Sequence, residues 1–325
     1  MLSRLEVDDE RWNNAVSTSS QTTIYALSWY LDVVCDDWCA IVWPSKFEYQ
    51  VILPLPTKNK WGVSVIQQPM FCQYLGFFYQ KEISAKLLSS FLAVIDLEFS
   101  YISSYSFSPF NYQIIKNILP AFVNLESRKR ATSWLNMNRS YQEIHACYSR
   151  DRKLNLKRAR QGNWLVEQSN DIAPLLDSFR ENHERKIEGG VNLSAYSMFT
   201  WLFERISLNE NAEVWYAVRD NEIQAGILIV RCVDFGVYLF NASDEEGRKG
   251  NARSLLLDTY FQRNAGQNFI FDFESPEVES VASFYRSFGG EERAFISIRK
   301  NELPFPFKQV QNWRKKLLGL FAKRP

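Results

Sequence analysis

The stretch from 245 to 258, EEGRKGNARSLLLD, places basic side chains and glycines directly before an apolar run with helical spacing. Exposed N–H groups at the start of a helix bind anions, and glycine lets a ligand approach the backbone closely. The candidate anion-binding residues are Arg248, Lys249, Gly250, Asn251, Ala252 and Arg253. A pyrophosphate would suit such a site. The alternative is a charged surface turn, because short glycine motifs are weak signals.

Two carboxylates follow in the run FDFE at 271–274, which we interpret as the end of a strand. Alternate residues of a strand point to the same face, so Asp272 and Glu274 are expected side by side. Such a pair could orient or deprotonate an amine, and Asn241 at the end of another strand is a candidate substrate contact. Alternatively, one carboxylate caps the next helix or pairs with an arginine.

A tyrosine, Tyr285, completes the set of residues that could act chemically. It lies in ASFYRSFG (282–289), where apolar residues recur at helical spacing. At such a spacing an aromatic side chain is usually part of the core, and proton transfer is the second interpretation.

The elements that must position these residues form an α+β pattern in the second half of the chain. Asp220-Asn221 is a hairpin signal, Ser275 and Pro276 mark a helix start, and Gly289 marks its end. A strand, helix and strand in succession predict a right-handed parallel crossover. The predicted strands are 213–220, 222–232, 236–243, 268–274 and 294–300, and the predicted helices are 171–186, 194–206, 251–266 and 276–289.

The first half has the same order of elements, so the chain predicts two similar domains, each with a mixed, mainly antiparallel sheet flanked by helices. A basic stretch at 149–162 marks the junction. The predicted domains are 1–148, 149–305 and a basic amphipathic C-terminal helix, 306–325. In the first half the predicted strands are 39–44, 48–56, 62–69 and 99–107, and the helices are 25–35 and 83–97.

Together, the loop, the strand and the tyrosine helix resemble the acyl-CoA motif of the GNAT N-acetyltransferases. This resemblance implies that backbone amides of the loop bind the CoA pyrophosphate, with Gly250 and Ala252 matching the Gly-x-Gly/Ala pattern. It also implies that Tyr285 protonates the leaving thiolate. Three residues before the first glycine of the motif, where the family usually has Arg or Gln, this chain has Gly247.

Over roughly residues 20–300 the chain is also similar to the FemAB-like branch, two GNAT folds in tandem, which includes BioF2-like acetyltransferase domains and peptidoglycan aminoacyl transferases. The stretches that carry this resemblance are 66–78, 154–159, 250–258 and 271–290. It implies that Gln68, Gln73 and Tyr74 line an acceptor groove; a buried, hydrogen-bonded loop is the alternative. The Fem enzymes have a coiled-coil arm that helps them engage tRNA. This sequence contains no long heptad segment that could form such an arm.

The composition of the chain bears on whether it binds nucleic acid, membranes or metal ions. With 38 Lys and Arg against 37 Asp and Glu, the net charge of +1 provides no general attraction for nucleic acid or membranes. Five scattered cysteines and two histidines predict a reduced, cytoplasmic protein without a metal site. We expect no secretion signal at the N-terminus and no tightly bound cofactor. The tail 306–325 could lie on the inner face of a membrane or dock on the protein itself.

These observations predict an N-acyltransferase that moves an acyl group from acyl-CoA, or a related thioester, to an amine of a small molecule or cell-wall precursor. Aminoacyl transfer from aminoacyl-tRNA in cell-wall metabolism is the alternative, which would make tRNA a partner. A non-catalytic binding module derived from the same fold is the third possibility, because a fold does not establish a function.

Overall fold

The computed structural model describes residues 1–60, 62–184, 190–274, 279–306 and 308–309. Its contacts divide the chain into two compact units. Unit 1 comprises residues 1–21, 34–130 and 295–325, and unit 2 comprises residues 22–33 and 131–294. The predicted helix start, Ser275 and Pro276, lies outside the described residues, and so does the predicted tail helix, 306–325, except for residues 306, 308 and 309.

Each predicted strand and helix has a counterpart of the same kind, in the same order, in the described chain. The strands Leu2–Ser3, Phe78–Tyr79, Glu126–Asn136 and Leu165–Ser169 were not predicted, nor were the helices Asp9–Ser17, Tyr112–Ile118 and Tyr141–Ala146. The strands are β1 (Leu2–Ser3), β2 (Asp37–Ser45), β3 (Glu48–Lys60), β4 (Val63–Gln67), β5 (Phe78–Tyr79), β6 (Tyr101–Phe107), β7 (Glu126–Asn136), β8 (Leu165–Ser169), β9 (Ala212–Arg219), β10 (Glu222–Cys232), β11 (Phe235–Ser243), β12 (Ile270–Asp272) and β13 (Glu291–Asn301). The α-helices are α1 (Asp9–Ser17), α2 (Ser28–Val34), α3 (Ala85–Glu98), α4 (Tyr112–Ile118), α5 (Tyr141–Ala146), α6 (Arg150–Arg160), α7 (Ala173–Asn182), α8 (Leu193–Leu208), α9 (Glu245–Lys249), α10 (Ala252–Asn264) and α11 (Glu279–Arg286).

Unit 1 contains a mainly antiparallel sheet with the strand order β1-β2-β3-β4-β6-β13, and β5 pairs with β3. Among its described strand pairs, β4 and β6 are parallel, with α3 in the connection between them. The apolar residues of α3 that were predicted at helical spacing, including Leu88, Leu92 and Ile95, are buried.

Unit 2 repeats this plan with the strand order β7-β12-β11-β10-β9-β8. Its parallel pair is β11 and β12, joined by α9 and α10, as the predicted crossover requires. The hairpin between β9 and β10 turns at Asp220 and Asn221, whose φ angles of 55° and 65° confirm a tight turn of the predicted kind. The predicted α+β class with mixed, mainly antiparallel sheets is therefore confirmed.

The core of unit 2 surrounds α10, which packs against the sheet and against α6. Because both sides of this helix are covered, its buried residues lie all round the axis, and the run Leu255–Leu257 is almost fully enclosed. Tyr285 of α11 and Phe288, just after that helix, join the same core cluster. The apolar residues therefore hold α10 in place, and its first turn includes the candidate anion-binding residues Ala252 and Arg253.

The contact units do not follow the bounds of the predicted domains. Residues 22–33 belong to unit 2 although they lie in the predicted first domain, and residues from Phe295 belong to unit 1, because β13 pairs with β6. Hydrophobic periodicity is a local signal, so it located these elements without indicating which sheet each one joins.

A buried carboxylate, Asp258 on α10, ties that helix to α5 and α6. It accepts hydrogen bonds from the hydroxyls of Tyr141 (3.0 Å) and Tyr148 (3.1 Å) and pairs with the Arg160 guanidinium at 2.8 Å. The side chain of Asp258 is only 2% exposed, so water cannot replace these partners.

We predict that Asp258→Ala lowers the free energy of unfolding by about 2–3 kcal/mol, because the buried Tyr148 hydroxyl loses its acceptor. Asp177→Ala is the matched control, since it removes an exposed carboxylate that pairs with Arg180 at 3.2 Å and should cost at most about 1 kcal/mol. Urea unfolding of the full chain measures both. Equal losses in the two variants would contradict the structural role of Asp258.

Candidate functional site

The site begins where two parallel strands separate. The pairing of β11 with β12 ends at Val237 and Asp272, while β11 continues to Ser243. On its other edge β11 stays paired with β10 as far as Ser243, with a register shift beside Tyr238. Beyond Val237 the described strands leave one edge of β11 unpaired, and ligands bind at such crevices beyond the carboxyl ends of parallel strands.

A cavity of about 290 Å³ lies at the end of β11, beside the first turn of α10. None of the lining residues within the described chain is acidic. They are Arg152, Asn155, Ser243, Gly247, Arg248, Asn251, Arg253, Ser254 and Phe284. Three guanidinium groups and several hydroxyl or amide groups therefore face a space suited to an anion such as a phosphate. We call it the anion pocket.

The predicted anion-binding residues divide into two groups. Arg248, Asn251 and Arg253 line the anion pocket. Lys249 is exposed and pairs with Glu245 at 2.8 Å on its own helix. Of the remaining two, Gly250 packs closely on Trp164, and Ala252 is fully buried in the core.

The segment from Glu245 to Lys249 is helical rather than an open loop. Asp244 caps it, accepting a hydrogen bond of 2.7 Å from the Gly247 amide. The amides of Gly250 and Asn251 also donate within the segment, at 2.8 and 3.2 Å. The prediction that this stretch presents its amides to a ligand is therefore wrong for these positions. The first amides of α10, at 252 and 253, have no acceptor within their helix.

A side chain at position 247 would not fit. A Cβ on Gly247 would lie 2.1 Å from the backbone oxygen of Gln224 on β10 and 2.6 Å from the Ser243 hydroxyl. Close packing of α9 on the sheet explains why this chain lacks Arg or Gln here, and the neighbouring Arg248 reaches the pocket instead.

Arg152 is the lining residue that sequence reasoning missed. It is 6% exposed, donates to the hydroxyls of Ser287 (2.9 Å) and Ser254, and lies over the rings of Phe284 and Phe288. Among the described residues no carboxylate lies within ion-pair distance of it. Burial, and then the nearby Arg253, lower the pKa of Arg152 to about 10. The pocket thus holds a buried cation that lacks a counterion.

The signal for Arg152 was present, but the basic stretch 149–162 was interpreted only as the junction between the two domains. Arg152, Leu156 and Ala159 share one face of α6, at i, i+4 and i+7, and that face is buried. The other basic residues of the helix point elsewhere: Arg160 pairs with Asp258, and Lys153 donates to the Ala146 carbonyl at 3.0 Å.

Arg253 connects the anion pocket to the end of β11. Its guanidinium donates to the Asn241 side-chain oxygen at 2.7 Å and lies 4.6 Å from the Phe284 ring centre. The same ring contacts Arg152, so one aromatic side chain supports two guanidinium groups. Asn241, a predicted substrate contact, therefore orients Arg253 in this structure.

Asp272 is fully buried at the end of β12. It accepts hydrogen bonds from the Thr132 hydroxyl and, at 2.8 Å, from the Glu274 amide. The strand was predicted to run to residue 274, but it ends at Asp272, and Glu274 has a φ of 64°. Strand alternation therefore does not set the direction of Glu274; the turn held by Asp272 does.

Glu274 has an environment that favours its neutral form. Burial raises its pKa to about 8, with a smaller contribution from the Asp272 charge, while a hydrogen bond from the Tyr25 hydroxyl lowers it. A carboxyl group with a pKa near neutrality is matched to proton transfer.

Tyr285 follows Phe284, which lines the anion pocket, and interacts electrostatically with both carboxylates and with Arg253. Its ring stacks on Phe273 with centres 5.1 Å apart and meets Tyr238 edge-on at 6.0 Å. Burial raises its pKa to about 12, Glu274 and Asp272 add to this, and the Arg253 charge opposes it. The structure thus brings Tyr285, both predicted carboxylates and Arg253 within electrostatic reach of one another.

The three predicted residues of the first half lie in unit 1. The Gln68 amide donates to the Cys72 carbonyl at 2.8 Å and accepts from the Ser106 amide at 2.9 Å, and Tyr74 is fully buried beside Phe295. These contacts fit the hydrogen-bonded loop that was the alternative. A substrate contact for Gln73, which is partly exposed, stays a prediction.

Two further observations concern the described residues only. No group of three or more potential metal ligands lies together there. No described helix combines the length and apolar character that crossing a bilayer requires. The predicted membrane contact of 306–325 stays a prediction.

Several solved structures have the same overall fold as this chain. FemX has 13% sequence identity and a TM-score of 0.67, and the match covers 89% of this chain and 96% of that one. The C-terminal domain of a lysylphosphatidylglycerol synthetase from Agrobacterium fabrum has 12% identity and a TM-score of 0.56 over 92% and 93% of the two chains. A tandem GNAT protein of clavulanic acid biosynthesis has 10% identity and a TM-score of 0.54 over 92% and 97%.

No protein-family model matches this chain, and neither does any curated protein by sequence. The structural likeness confirms the predicted fold, that of the FemAB-like tandem GNAT proteins. At identities of 10–13% it concerns the fold alone.

We predict that Arg152→Met changes the melting temperature of the ligand-free protein little, because relief from burying the charge offsets the loss of its hydrogen bonds to Ser254 and Ser287. Wild-type protein should gain stability with inorganic pyrophosphate, by mass action, and the variant should lose most of that gain. Thermal melts with and without pyrophosphate measure both effects.

The control is Arg158→Met, which removes an exposed arginine from the same helix. It should retain the stabilisation by pyrophosphate. Equal stabilisation of all three proteins, or none for the wild type, would contradict anion binding at Arg152.

Proposed function

We propose that this protein is an acyltransferase that moves an acyl group from an acyl-CoA thioester to an amine. The observation that carries the proposal is the anion pocket, with its buried Arg152, beside a tyrosine and a carboxylate of raised pKa. Phosphate binding and proton transfer are the two capacities that such a reaction requires.

The donor would bind with its pyrophosphate in the anion pocket. Arg152, Arg248 and Arg253 can provide charge-assisted hydrogen bonds, and the first amides of α10 add the positive end of the helix. The pantetheine chain would then follow the unpaired edge of β11, where backbone groups can pair with its amides. This path leads from the pocket towards Tyr285 and Glu274.

Glu274 is the proposed base. An alkylammonium has a pKa near 10.4, so a carboxylate whose conjugate acid has a pKa of about 8 can accept its proton at modest cost. The freed amine attacks the thioester carbonyl carbon, and the tetrahedral intermediate then expels the sulfur. Asp272, although predicted as catalytic, has a positioning role in this proposal because it accepts the hydrogen bond from the Glu274 amide that holds the turn.

Tyr285 is the proposed acid. It donates its proton to the departing sulfur and is restored by the second proton of the attacking nitrogen. A thiol has a pKa of about 8.5, so the thiolate is a good leaving group. Protonation by Tyr285 therefore accelerates its departure but is not essential for it.

Aminoacyl transfer from aminoacyl-tRNA to a cell-wall or related amine is the second candidate. The observation that favours it is the likeness to FemX, whose TM-score of 0.67 exceeds the 0.54 of the tandem GNAT protein. The anion pocket could hold a phosphate near the 3′ end of such a donor. An ester oxygen is a much poorer leaving group than a thiolate, so this reaction would depend more strongly on Tyr285.

We predict that isothermal titration calorimetry detects binding of acetyl-CoA or a longer acyl-CoA, and that Arg152→Met weakens it at least tenfold while Arg158→Met does not. One lost charge-assisted hydrogen bond accounts for such a loss. If no acyl-CoA binds, the thioester version is wrong. Salt-sensitive binding of aminoacyl-tRNA in a filter assay would then favour the second candidate.

We predict that the turnover of a bound acyl-CoA, followed as thiol release with a panel of primary amines, increases as the pH rises through about 8, because Glu274 must lose its proton to act as base. Glu274→Gln should remove the inflection near pH 8, leaving only the rise that follows deprotonation of the amine itself, and should lower kcat by roughly 100-fold or more. Tyr285→Phe should cost about 10–100-fold for a thioester and much more for an ester.

Wild-type rates retained in Glu274→Gln and Tyr285→Phe would show that the reaction occurs elsewhere. Acyl-CoA binding without turnover under any of these conditions would instead support a binding module of the same fold.

A further inference from the structure

An aromatic residue far away in the sequence holds the candidate base. Tyr25 lies in a 3₁₀ turn, Ile24–Ala26, within the segment 22–33 that belongs to unit 2. Its side chain is fully buried, and its hydroxyl donates a hydrogen bond to the Glu274 carboxylate. The ring of Tyr30 packs edge-on against it with centres 5.7 Å apart, which fixes the ring that carries the hydroxyl.

Glu274 is held at two points. Its amide donates to Asp272 at 2.8 Å, which stabilises a left-handed backbone with a φ of 64°. Residues other than glycine rarely adopt this conformation, and it persists where surrounding contacts impose it. The second point is the side chain itself, which Tyr25 directs. The backbone contact alone would leave the torsion angles of the carboxylate side chain free.

We propose that Tyr25 is a positioning residue for Glu274, orienting the carboxylate for its role as base. This inference rests on the proposed acyl transfer for the role of Glu274, but the contact itself is independent of any activity. Through this contact the segment 22–33 contributes to the site, although it lies about 240 positions or more before Glu274 in the sequence.

Among the described groups that act on Glu274, Tyr25 is the one that stabilises the charged carboxylate. Asp272 on β12 is a like charge, and together with burial it raises the pKa of Glu274 to about 8. Tyr285 on α11 faces the same carboxylates, and the positive charge of Arg253 on α10 acts on Tyr285. The hydrogen bond from Tyr25 lowers the pKa of Glu274, so its loss would favour the protonated carboxyl, which cannot accept a proton.

The direct test is the titration of Glu274 in the full chain, labelled with ¹³C at the glutamate carboxyl and followed by NMR. Glu274→Gln assigns the signal, which should titrate near pH 8 in the wild type. Tyr25→Phe should raise this pKa, corresponding to a roughly tenfold or greater fall in the acid dissociation constant, because a hydrogen bond to the charged form is lost. Tyr25 replaced by difluorotyrosine keeps the contact with a stronger donor and should lower the pKa.

Tyr216→Phe is the matched control. Tyr216 is a buried tyrosine of the same unit, and its hydroxyl donates to the Asp171 carbonyl at 2.7 Å. This variant should leave the Glu274 signal unchanged. An unchanged Glu274 pKa in both Tyr25 variants, or an equal shift in Tyr216→Phe, would overturn the inference.

The rate profile separates this inference from the proposed function. If both hold, Tyr25→Phe moves the rise of kcat to higher pH by the same amount as the NMR titration, with a largely unchanged KM for the acyl-CoA. A shifted NMR titration with an unshifted rate profile means that Tyr25 controls Glu274 but that Glu274 is not the base. In that case the positioning role in catalysis fails as well.

Discussion

The pairing of β11 with β12 ends after three residue pairs, at Val237 and Asp272, and the candidate site lies at and beyond that point. Past this point no other described strand pairs with that edge of β11, and the chain that leaves β11 enters the anion pocket. The chain that leaves β12 forms the turn with Glu274. A longer β12 would cover the edge of β11 and carry Glu274 into the sheet, so the early separation of two parallel strands is the constraint on which the site depends.

Charges of opposite sign occupy opposite ends of this crevice. The arginines of the anion pocket have no acidic neighbour among its lining residues, and Asp272 and Glu274 lie close together at the other end. Each cluster carries an electrostatic cost, because Arg152 and Asp272 are buried and each lies near a like charge. A polyanionic donor would relieve the first cluster and an ammonium acceptor the second, so substrate binding and stabilisation of the site have the same physical origin.

Most of the fold followed from local sequence patterns. Asp220 and Asn221 predicted the hairpin, the apolar run of α10 predicted the crossover helix, and the spacing of Phe284, Tyr285 and Phe288 predicted the helix with the candidate acid. These features are encoded by neighbours in sequence, which is why one sequence is enough to find them.

The parts that were missed depend on contacts between distant residues. Tyr25 contacts Glu274 across 249 positions, and an isolated tyrosine in an apolar segment indicates only core packing. Arg152 lies in a basic stretch that was interpreted only as a junction, because nothing nearby in the sequence indicated that Phe284 covers it. The helical state of Glu245–Lys249 was missed because glycines favour a loop, whereas Gly247 is needed for contact with β10.

A crystal structure of the full chain with a non-hydrolysable acyl-CoA analogue tests the central claim most directly. The account predicts that the pyrophosphate lies in the anion pocket against Arg152 and Arg253, with the thioether sulfur within hydrogen-bond distance of the Tyr285 hydroxyl. An analogue bound with its pyrophosphate elsewhere, or with its sulfur remote from both Tyr285 and Glu274, would contradict it.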